Sequence, residues 1–336
     1  MTKVNSKKKN IVVIGGGTGT YTILTGLKKY PLNLSVIVSM MDSGGSNRII
    51  RDEFGLLPTS DLRQCIVALA SDKSSDVLRN LFTYRYENGT GISGMTFGNL
   101  FMAALADIYK SQKKALEKTF EMLEVKGKII PVTYDKTNLV ARYENGNQIL
   151  GEHEIDQPDE ELGEMKIVEL GVFPEAQANP DAINAIKEAD AVVLGPGDFF
   201  TSILCNVVVP GIAEAIRSSK AKKIFIMNLM TKFGQTNDFK ASDFLREIEK
   251  YIGEGVVDYV LINKKLKLPK LALEKYKEEK ATLVKDDVKD NHIKVVREDL
   301  ISGTIFEKVK SDRLARSLIR HDPDKLAKAV VSLLRQ

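Results

Sequence analysis

The residues in this chain that could do chemistry are glycines, set in turns between apolar and helical stretches. Ile11-Val12-Val13-Ile14 is apolar and β-branched. It opens into Gly15-Gly16-Gly17-Thr18-Gly19-Thr20, four glycines in five positions, and residues 21–29 then carry a helical pattern. That order predicts a buried strand, a tight loop and a helix. Glycine permits positive φ and close backbone approach, so the loop amides can face an anion at a helix N-terminus, where the dipole favours negative charge. The predicted guest is a phosphate. Gly15, Gly17 and Gly19 give G-x-G-x-G, with Thr20 where a dinucleotide motif carries its last glycine. A turn that is glycine-rich for packing alone is the alternative.

Further loops repeat the arrangement. The apolar run Ser35-Val36-Ile37-Val38-Ser39-Met40 ends in Met41-Asp42-Ser43-Gly44-Gly45-Ser46-Asn47. An acid at the end of a second strand is where a dinucleotide fold holds a ribose hydroxyl, which makes Asp42 a candidate ligand or metal contact. A turn in which Asp42 bonds its own backbone accounts for it equally. Arg51 and Arg63 follow as cations for a phosphate or for surface salt bridges, and Ser60 or Asp61 can cap a helix through residue 69. Asp190-Ala191-Val192-Val193-Leu194 leads into Gly195-Pro196-Gly197-Asp198-Phe199-Phe200-Thr201-Ser202, and Ile224-Phe225-Ile226-Met227 into Asn228-Leu229-Met230-Thr231. A fifth strand, residues 258–262, ends at Asn263. In a doubly wound parallel sheet all such loops lie along the carboxyl edge, where these sheets bind ligands. The spacing therefore predicts one broad cleft lined by residues 15–19, 42–46, 195–202 and 228–231.

The intervening elements must hold that cleft. Helices are predicted over about 75–84, 100–109, 113–123, 180–188 and 270–280, and Asp322-Pro323 starts a last one through 334. Between about 128 and 172 the pattern turns to short strands, with Asn145-Gly146 as a hairpin turn. We read this as a β-rich insertion, and residues 152–164, acidic and nearly without apolar side chains, as an exposed loop with no part in chemistry. Tyr276 reads as a packing residue on a charged helix. His321 reads as a structural hydrogen-bonder.

At 336 residues and 43% hydrophobic the chain can fill a substantial core without staples. Lys3, Lys7, Lys8 and Lys9 carry the whole net charge of +4, since 45 basic and 45 acidic residues remain without them. Residues 1–9 read as a basic disordered tail ahead of a single domain over 10–336, and the balanced body gives no reason to expect nucleic acid. Cys65 and Cys205 sit in apolar surroundings without metal-type spacing, as reduced core thiols would. No apolar run approaches the roughly 20 residues of a membrane span, and the basic start lacks a signal peptide's apolar segment, so a cytoplasmic protein is expected.

Taken together, Gly15-Gly16-Gly17-Thr18-Gly19, Asp42-Ser43-Gly44-Gly45-Ser46, Phe97-Gly98-Asn99-Leu100, Gly195-Pro196-Gly197 with Thr201-Ser202, Asn228-Leu229-Met230-Thr231 and Arg320-His321-Asp322-Pro323 resemble the bacterial gluconeogenesis factor family, which is related to 2-phospho-L-lactate transferase. The likeness runs in order from about residue 10 to the C-terminus. It implies a Rossmann-like α/β fold with a doubly wound, mostly parallel sheet and a β-rich insertion. It further implies a cytoplasmic homodimer that binds nucleotide sugars of the uridine diphosphate type, such as UDP-GlcNAc, and supports cell-wall synthesis and cell shape on gluconeogenic carbon. The tyrosine and arginine that bind nucleotide sugar in that family look like Tyr276 and Arg320. The related transferase moves a phospholactyl group onto a deazaflavin with Mg2+, through an acidic pair that corresponds to Asp42 and Ser43. Here Ser43 replaces an acid of that pair, and Met95 stands in place of a histidine. The first change removes a hard oxygen ligand and the second a proton carrier, while the glycine backbone remains.

Two functions follow as expectations. One is a nucleotide-sugar-binding regulatory protein with phosphates on residues 15–19 and 195–197, Asn228 and Thr231 on ribose or sugar, and Tyr276 and Arg320 closing over the ligand. The other is a magnesium-dependent transferase of a phospholactyl-type group, with Asp42 and then Asp61 or Asp198 on the metal. A nicotinamide-dependent dehydrogenase, resting only on the first loop and Asp42, lacks an evident catalytic base.

Overall fold

Short strands without a polar side chain need cover on both faces, and that requirement places them at the centre of one sheet. The structure, a computed structural model, describes residues 8–71, 76–264, 270–289, 293–303 and 318–335. Its strands in chain order are β1 (Lys9–Ile14), β2 (Leu32–Val38), β3 (Lys128–Pro131), β4 (Asn138–Tyr143) and β5 (Gln148–Leu150). They continue as β6 (Ile167–Phe173), β7 (Ala191–Leu194), β8 (Lys222–Ile226), β9 (Tyr259–Asn263) and β10 (Lys294–Glu298). Seven of them form a sheet in the order β10-β9-β8-β7-β1-β2-β3, and each pair in it is parallel. This is the doubly wound α/β architecture that the sequence predicts.

Successive side chains on a strand face opposite ways, so the central strands feed two cores. Ile11 and Val13 of β1 join Val36, Val193 and Ile224 on one face, beneath the helices Gly17–Leu27, Ser60–Leu69 and Pro323–Leu333. Val12 and Ile14 join Ile37, Val192 and Phe225 on the other, beneath Pro180–Lys187, Ile212–Ser218 and Ala241–Ile252. Cys65 and Cys205 are free and buried. Among the described residues no single helix is long and apolar enough to cross a membrane.

Several boundaries differ from the sequence reading. β1 begins inside the expected tail, at Lys9, whose ammonium pairs with Asp190 at 2.8 Å, while residues 1–7 lie outside the described residues. The β-rich stretch divides. β3 joins the main sheet beside β2, and only β5-β4-β6, over 138–173, forms a separate three-stranded antiparallel sheet. Gly146, at φ +87°, turns the β4–β5 hairpin as expected. The acidic interval is not an exposed loop: it folds into the short helices Glu152–Asp156 and Glu160–Gly163. Its one β-branched residue, Ile155, is fully buried and turns Glu152 and Asp156, one helical turn apart, towards the protein. Helix Ser60–Leu69 has no side-chain cap, because Asp61 reaches across to another helix. Asp322 does cap the last helix, accepting from the Asp324 and Lys325 amides.

Helices Gly17–Leu27 and Pro323–Leu333 cross at Gly26. A Cβ there would overlap the Pro323 carbonyl and sit 2.8 Å from the Ala327 methyl. Gly26→Ala is therefore expected to destabilise the fold by about 1–3 kcal/mol through overpacking, read as a lowered midpoint in denaturant unfolding. An unchanged midpoint contradicts that packing.

Candidate functional site

From β1 the chain proceeds to β2, and from β7 it proceeds the opposite way to β8, although β1 and β7 are neighbours. Their two following loops diverge and leave a crevice between them, the usual ligand position in such a sheet. The loops touch at its base. A Cβ on Gly19 would lie 2.6 Å from the Pro196 carbonyl carbon and 2.8 Å from the Gly197 nitrogen, so glycine there is a condition of the contact. Gly17 and Gly195 take positive φ, at +63° and +83°. Gly15 is packed against the Thr20 hydroxyl, and Gly15 and Gly195 serve the turns without lining the crevice.

The crevice holds two hollows. The first, about 310 Å³, is lined by Gly16, Gly17, Thr18, Gly19, Gly197 and Ser202 on one side and by Asn228, Thr231, Lys232, Tyr276, Arg320 and His321 on the other. The second, about 240 Å³, is lined by Asp42, Gly44, Asn47, Asp61, Glu152, His153, Asp156 and Thr201. Gly17, Asp198 and Ser202 border both, so the hollows adjoin.

At the first helix N-terminus one anion is already supplied by the chain. The Gly17 amide donates to Asp61 Oδ1 at 2.9 Å, and Gly16 must lack a side chain because a Cβ would overlap that carboxylate. Among the described residues the Thr18 and Gly19 amides have no partner, as expected for the first turn of a helix, and both residues line the first hollow. Asn228 Nδ2 donates to the Gly197 carbonyl at 2.8 Å, tying the loop after β8 to the loop after β7.

The second hollow is acidic, and its charges are managed in two ways. Lys232 bridges Asp156 and Asp198, the latter at 2.7 Å, and Thr201 and Gln235 also bond Asp156 at 2.9 and 3.0 Å. Burial works to lower the Lys232 ammonium, but the two carboxylates hold it above its ordinary value. Burial likewise works against ionised Asp156, and Lys232 keeps that carboxyl below the usual range. Among the described residues neither Asp42 nor Glu152 is hydrogen-bonded to a cation, although Lys232 acts on Glu152 through space. Burial pushes Asp42 up despite bonds from the Gly44 amide, at 2.9 Å, and from Asn47. Burial and then the charge of Asp42 push Glu152 well above its ordinary value. A neighbouring like charge disfavours the ionised form of a carboxyl, in the same direction as burial.

Of the sequence-predicted residues, Gly16, Gly17, Thr18, Gly19, Gly197, Ser202, Asn228, Thr231, Tyr276 and Arg320 meet at the first hollow. Asp42, Gly44 and Thr201 belong to the second. Asn99 is buried against Asn47 and Ser60 and lines neither. Thr231 Oγ1 is held by Thr282, accepting from its amide at 2.8 Å. Tyr276 is buried, with its hydroxyl accepting from the Ile319 amide at 3.2 Å. Gly45 starts the helix Gly45–Phe54, and the side chain of Ser46 lies outside the described residues. Sequence reasoning missed Glu152, Asp156, Lys232 and His321 as lining groups. The four-residue spacing of Glu152 and Asp156 about Ile155 was the available signal.

A magnesium ion at Asp42 does not fit this donor set. Both Asp42 oxygens accept from nitrogen donors, and Ser43 offers a hydroxyl that already accepts from the His153 amide at 3.0 Å. Among the described residues no three histidine, cysteine or carboxylate groups are placed to hold a metal.

Comparison with known proteins places this geometry. The family model described as 2-phospho-L-lactate transferase CofD matches residues 11–301. An Aquifex aeolicus protein provisionally named a gluconeogenesis factor is 39% identical, over 98% of this chain and 97% of that one. The Bacillus subtilis gluconeogenesis factor is 31% identical, over 98% of this chain and 99% of its own. A crystal structure of a Bacillus halodurans protein superposes with a TM-score of 0.86 at 33% identity, covering 97% of this chain and all of that one.

Two substitutions test the charge arrangement. Lys232→Met leaves Asp156 and Asp198 without their cation and is expected to destabilise the protein by about 1–3 kcal/mol, below the value for a fully buried pair because Lys232 and Asp198 are partly exposed, measured by urea unfolding. Glu152 binds its proton more tightly folded than unfolded, so its contribution is present at acid pH and is lost as pH rises through its raised folded value. The slope is at most about 1.4 kcal/mol per pH unit for one proton. Glu152→Gln should flatten this dependence and raise stability near neutral pH. A parallel pair of stability-versus-pH curves rejects the assignment.

Proposed function

The chain belongs to the 2-phospho-L-lactate transferase CofD family, and from that premise we propose that it is a cytoplasmic nucleotide-sugar-binding regulatory protein, of the gluconeogenesis factor kind. The observation that carries this reading is the single hollow joining the open amides of Thr18 and Gly19 to Gly197, Asn228, Tyr276 and Arg320. A diphosphate rests on those amides, where the helix dipole favours it. Lys232 borders the same hollow, its ammonium bridging Asp156 and Asp198. Arg320, half-buried at the rim, supplies planar donors to the phosphates or the sugar. Asp61 fills the first amide position, which moves the phosphate towards Thr18 and Gly19 and away from the acidic hollow. Such a ligand suits a role in cell-wall synthesis and cell shape during growth on gluconeogenic carbon.

The alternative, magnesium-dependent transfer of a phospholactyl-type group, lacks a fitting metal subsite at Asp42. The binding reading needs no such ion from the protein.

Isothermal titration with UDP-GlcNAc and other uridine diphosphate sugars is expected to give saturable binding. Arg320→Ala should weaken it about 10- to 100-fold, the range for losing a charged hydrogen bond. No saturable binding of any uridine diphosphate sugar overturns the proposal, and an unchanged isotherm removes Arg320 from the site.

A further inference from the structure

A nucleotide sugar has two arms, a nucleoside and a sugar, joined at the diphosphate, and the crevice has two hollows that share a border. That border is low. Gly17 stands on it without a side chain, and a Cβ there would meet, among the described residues, only Ser202 Oγ, at 3.8 Å, so the space above this backbone is open. The Thr18 and Gly19 amides, proposed above to hold the diphosphate, follow directly in the chain. A ligand held there can send one arm into each hollow.

The linings decide which arm goes where. The first hollow carries Leu229, Met230, Phe233, Ala281 and Ile319 among its walls, apolar surface of the kind that covers a flat base. Among the described residues the second carries one apolar side chain, Ile49, and its other side chains are polar or charged, Arg63 and Arg85 as well as the carboxyls. A sugar ring presents hydroxyls on every side and needs such partners. At about 240 Å³ the second hollow lies just under the roughly 300 Å³ at which pockets for drug-sized ligands begin, room for a single ring.

Open polar groups stand on the border and beyond it. Asp198 borders both hollows with 43% of its side chain exposed. Its Oδ2 accepts from Lys232 at 2.7 Å, and Oδ1 has no partner among the described residues. The Ser202 amide donates to the Asp198 carbonyl at 2.8 Å, which sets Ser202 one turn beyond Asp198, and among the described residues the Ser202 hydroxyl is open as well. Gln64 is half-buried and lines the second hollow but not the first, and among the described residues its carboxamide has no partner. A carboxylate takes a hydroxyl proton in a charge-assisted bond, about twice as strong as a neutral one, and it repels phosphate.

We infer that the second hollow is the subsite for the sugar, and that Asp198 is a specificity-determining residue whose carboxylate accepts from a sugar hydroxyl where the ring crosses Gly17. This deepens the nucleotide-sugar reading above and rests on it. The ligand then lies with its nucleoside in the first hollow, its diphosphate on the Thr18 and Gly19 amides, and its sugar among the polar side chains of the second.

The test compares UDP, UDP-glucose and UDP-GlcNAc by titration calorimetry on the full chain. The wild type should bind at least one of the two sugar nucleotides about tenfold or more tightly than UDP, the gain expected from a charged hydrogen bond. Asp198→Ala removes the acceptor and should bring that ratio close to one, with UDP still bound. Gln64→Phe fills the second hollow from a position outside the first, and should have the same effect. Circular dichroism shows whether each variant is folded, and one folded variant suffices for the test. Equal wild-type affinity for UDP and both sugar nucleotides, or a ratio retained in a folded variant, overturns this inference alone. Loss of UDP binding in folded Gln64→Phe also overturns it, because the nucleoside then occupies the second hollow. Failure of the wild type to bind UDP or either sugar nucleotide overturns it together with the nucleotide-sugar reading.

Discussion

The candidate site depends on the contact between two backbones at Gly19 and Pro196. β1 and β7 are hydrogen-bonded neighbours whose chains depart in opposite directions, so the loops that follow them must separate, yet at their base they touch. Only a residue without a side chain allows that approach. The loop after β8 is then tied to the same point through Asn228 and the Gly197 carbonyl. Three loops from distant parts of the chain are thereby held at one edge of the sheet, and the first hollow is the space they leave.

The second hollow shows what such a gathering demands electrostatically. Asp42, Asp61 and Asp198 arrive from separate parts of the chain, and Glu152 and Asp156 from one short helix. Asp61 is satisfied by a helix N-terminus, and Asp156 and Asp198 by Lys232. Asp42 and Glu152 have neither; burial raises both carboxyls, and the charge of Asp42 raises Glu152 further. Lys232 lies on the boundary of the first hollow, so the cation that neutralises the acidic side also borders the proposed phosphate side. One side of the crevice thus suits an anion, while the other repels it.

Membership of the CofD family and the substitution at Ser43 are consistent with one another in physical terms. The backbone turns carry the open amides of Thr18 and Gly19. The side chains around Asp42 have become an internal hydrogen-bond network in which both carboxylate oxygens are engaged.

The sequence by itself determined the central strands, their parallel arrangement and the edge at which the loops collect. Runs such as Val12-Val13-Ile14 and Val192-Val193-Leu194 can be buried on both faces only in a covered parallel sheet, and their glycine exits mark the carboxyl ends. Local chemistry also announced the Asn145-Gly146 hairpin and the Asp322-Pro323 helix start. Tertiary structure decided which loop residues face the ligand space. Asp61 looks like a local cap and instead serves a helix 44 residues earlier in the chain. Asn99 sits in a family motif and is buried away from both hollows. Glu152 and Asp156 read as solvated charges, yet the burial of Ile155 between them turns both inward. The unpartnered ring nitrogen of His321 and amide oxygen of Asn228 were invisible for the same reason. A hydrogen-bond deficit belongs to a position in space, and residue type and spacing carry no record of which partner the fold will withhold.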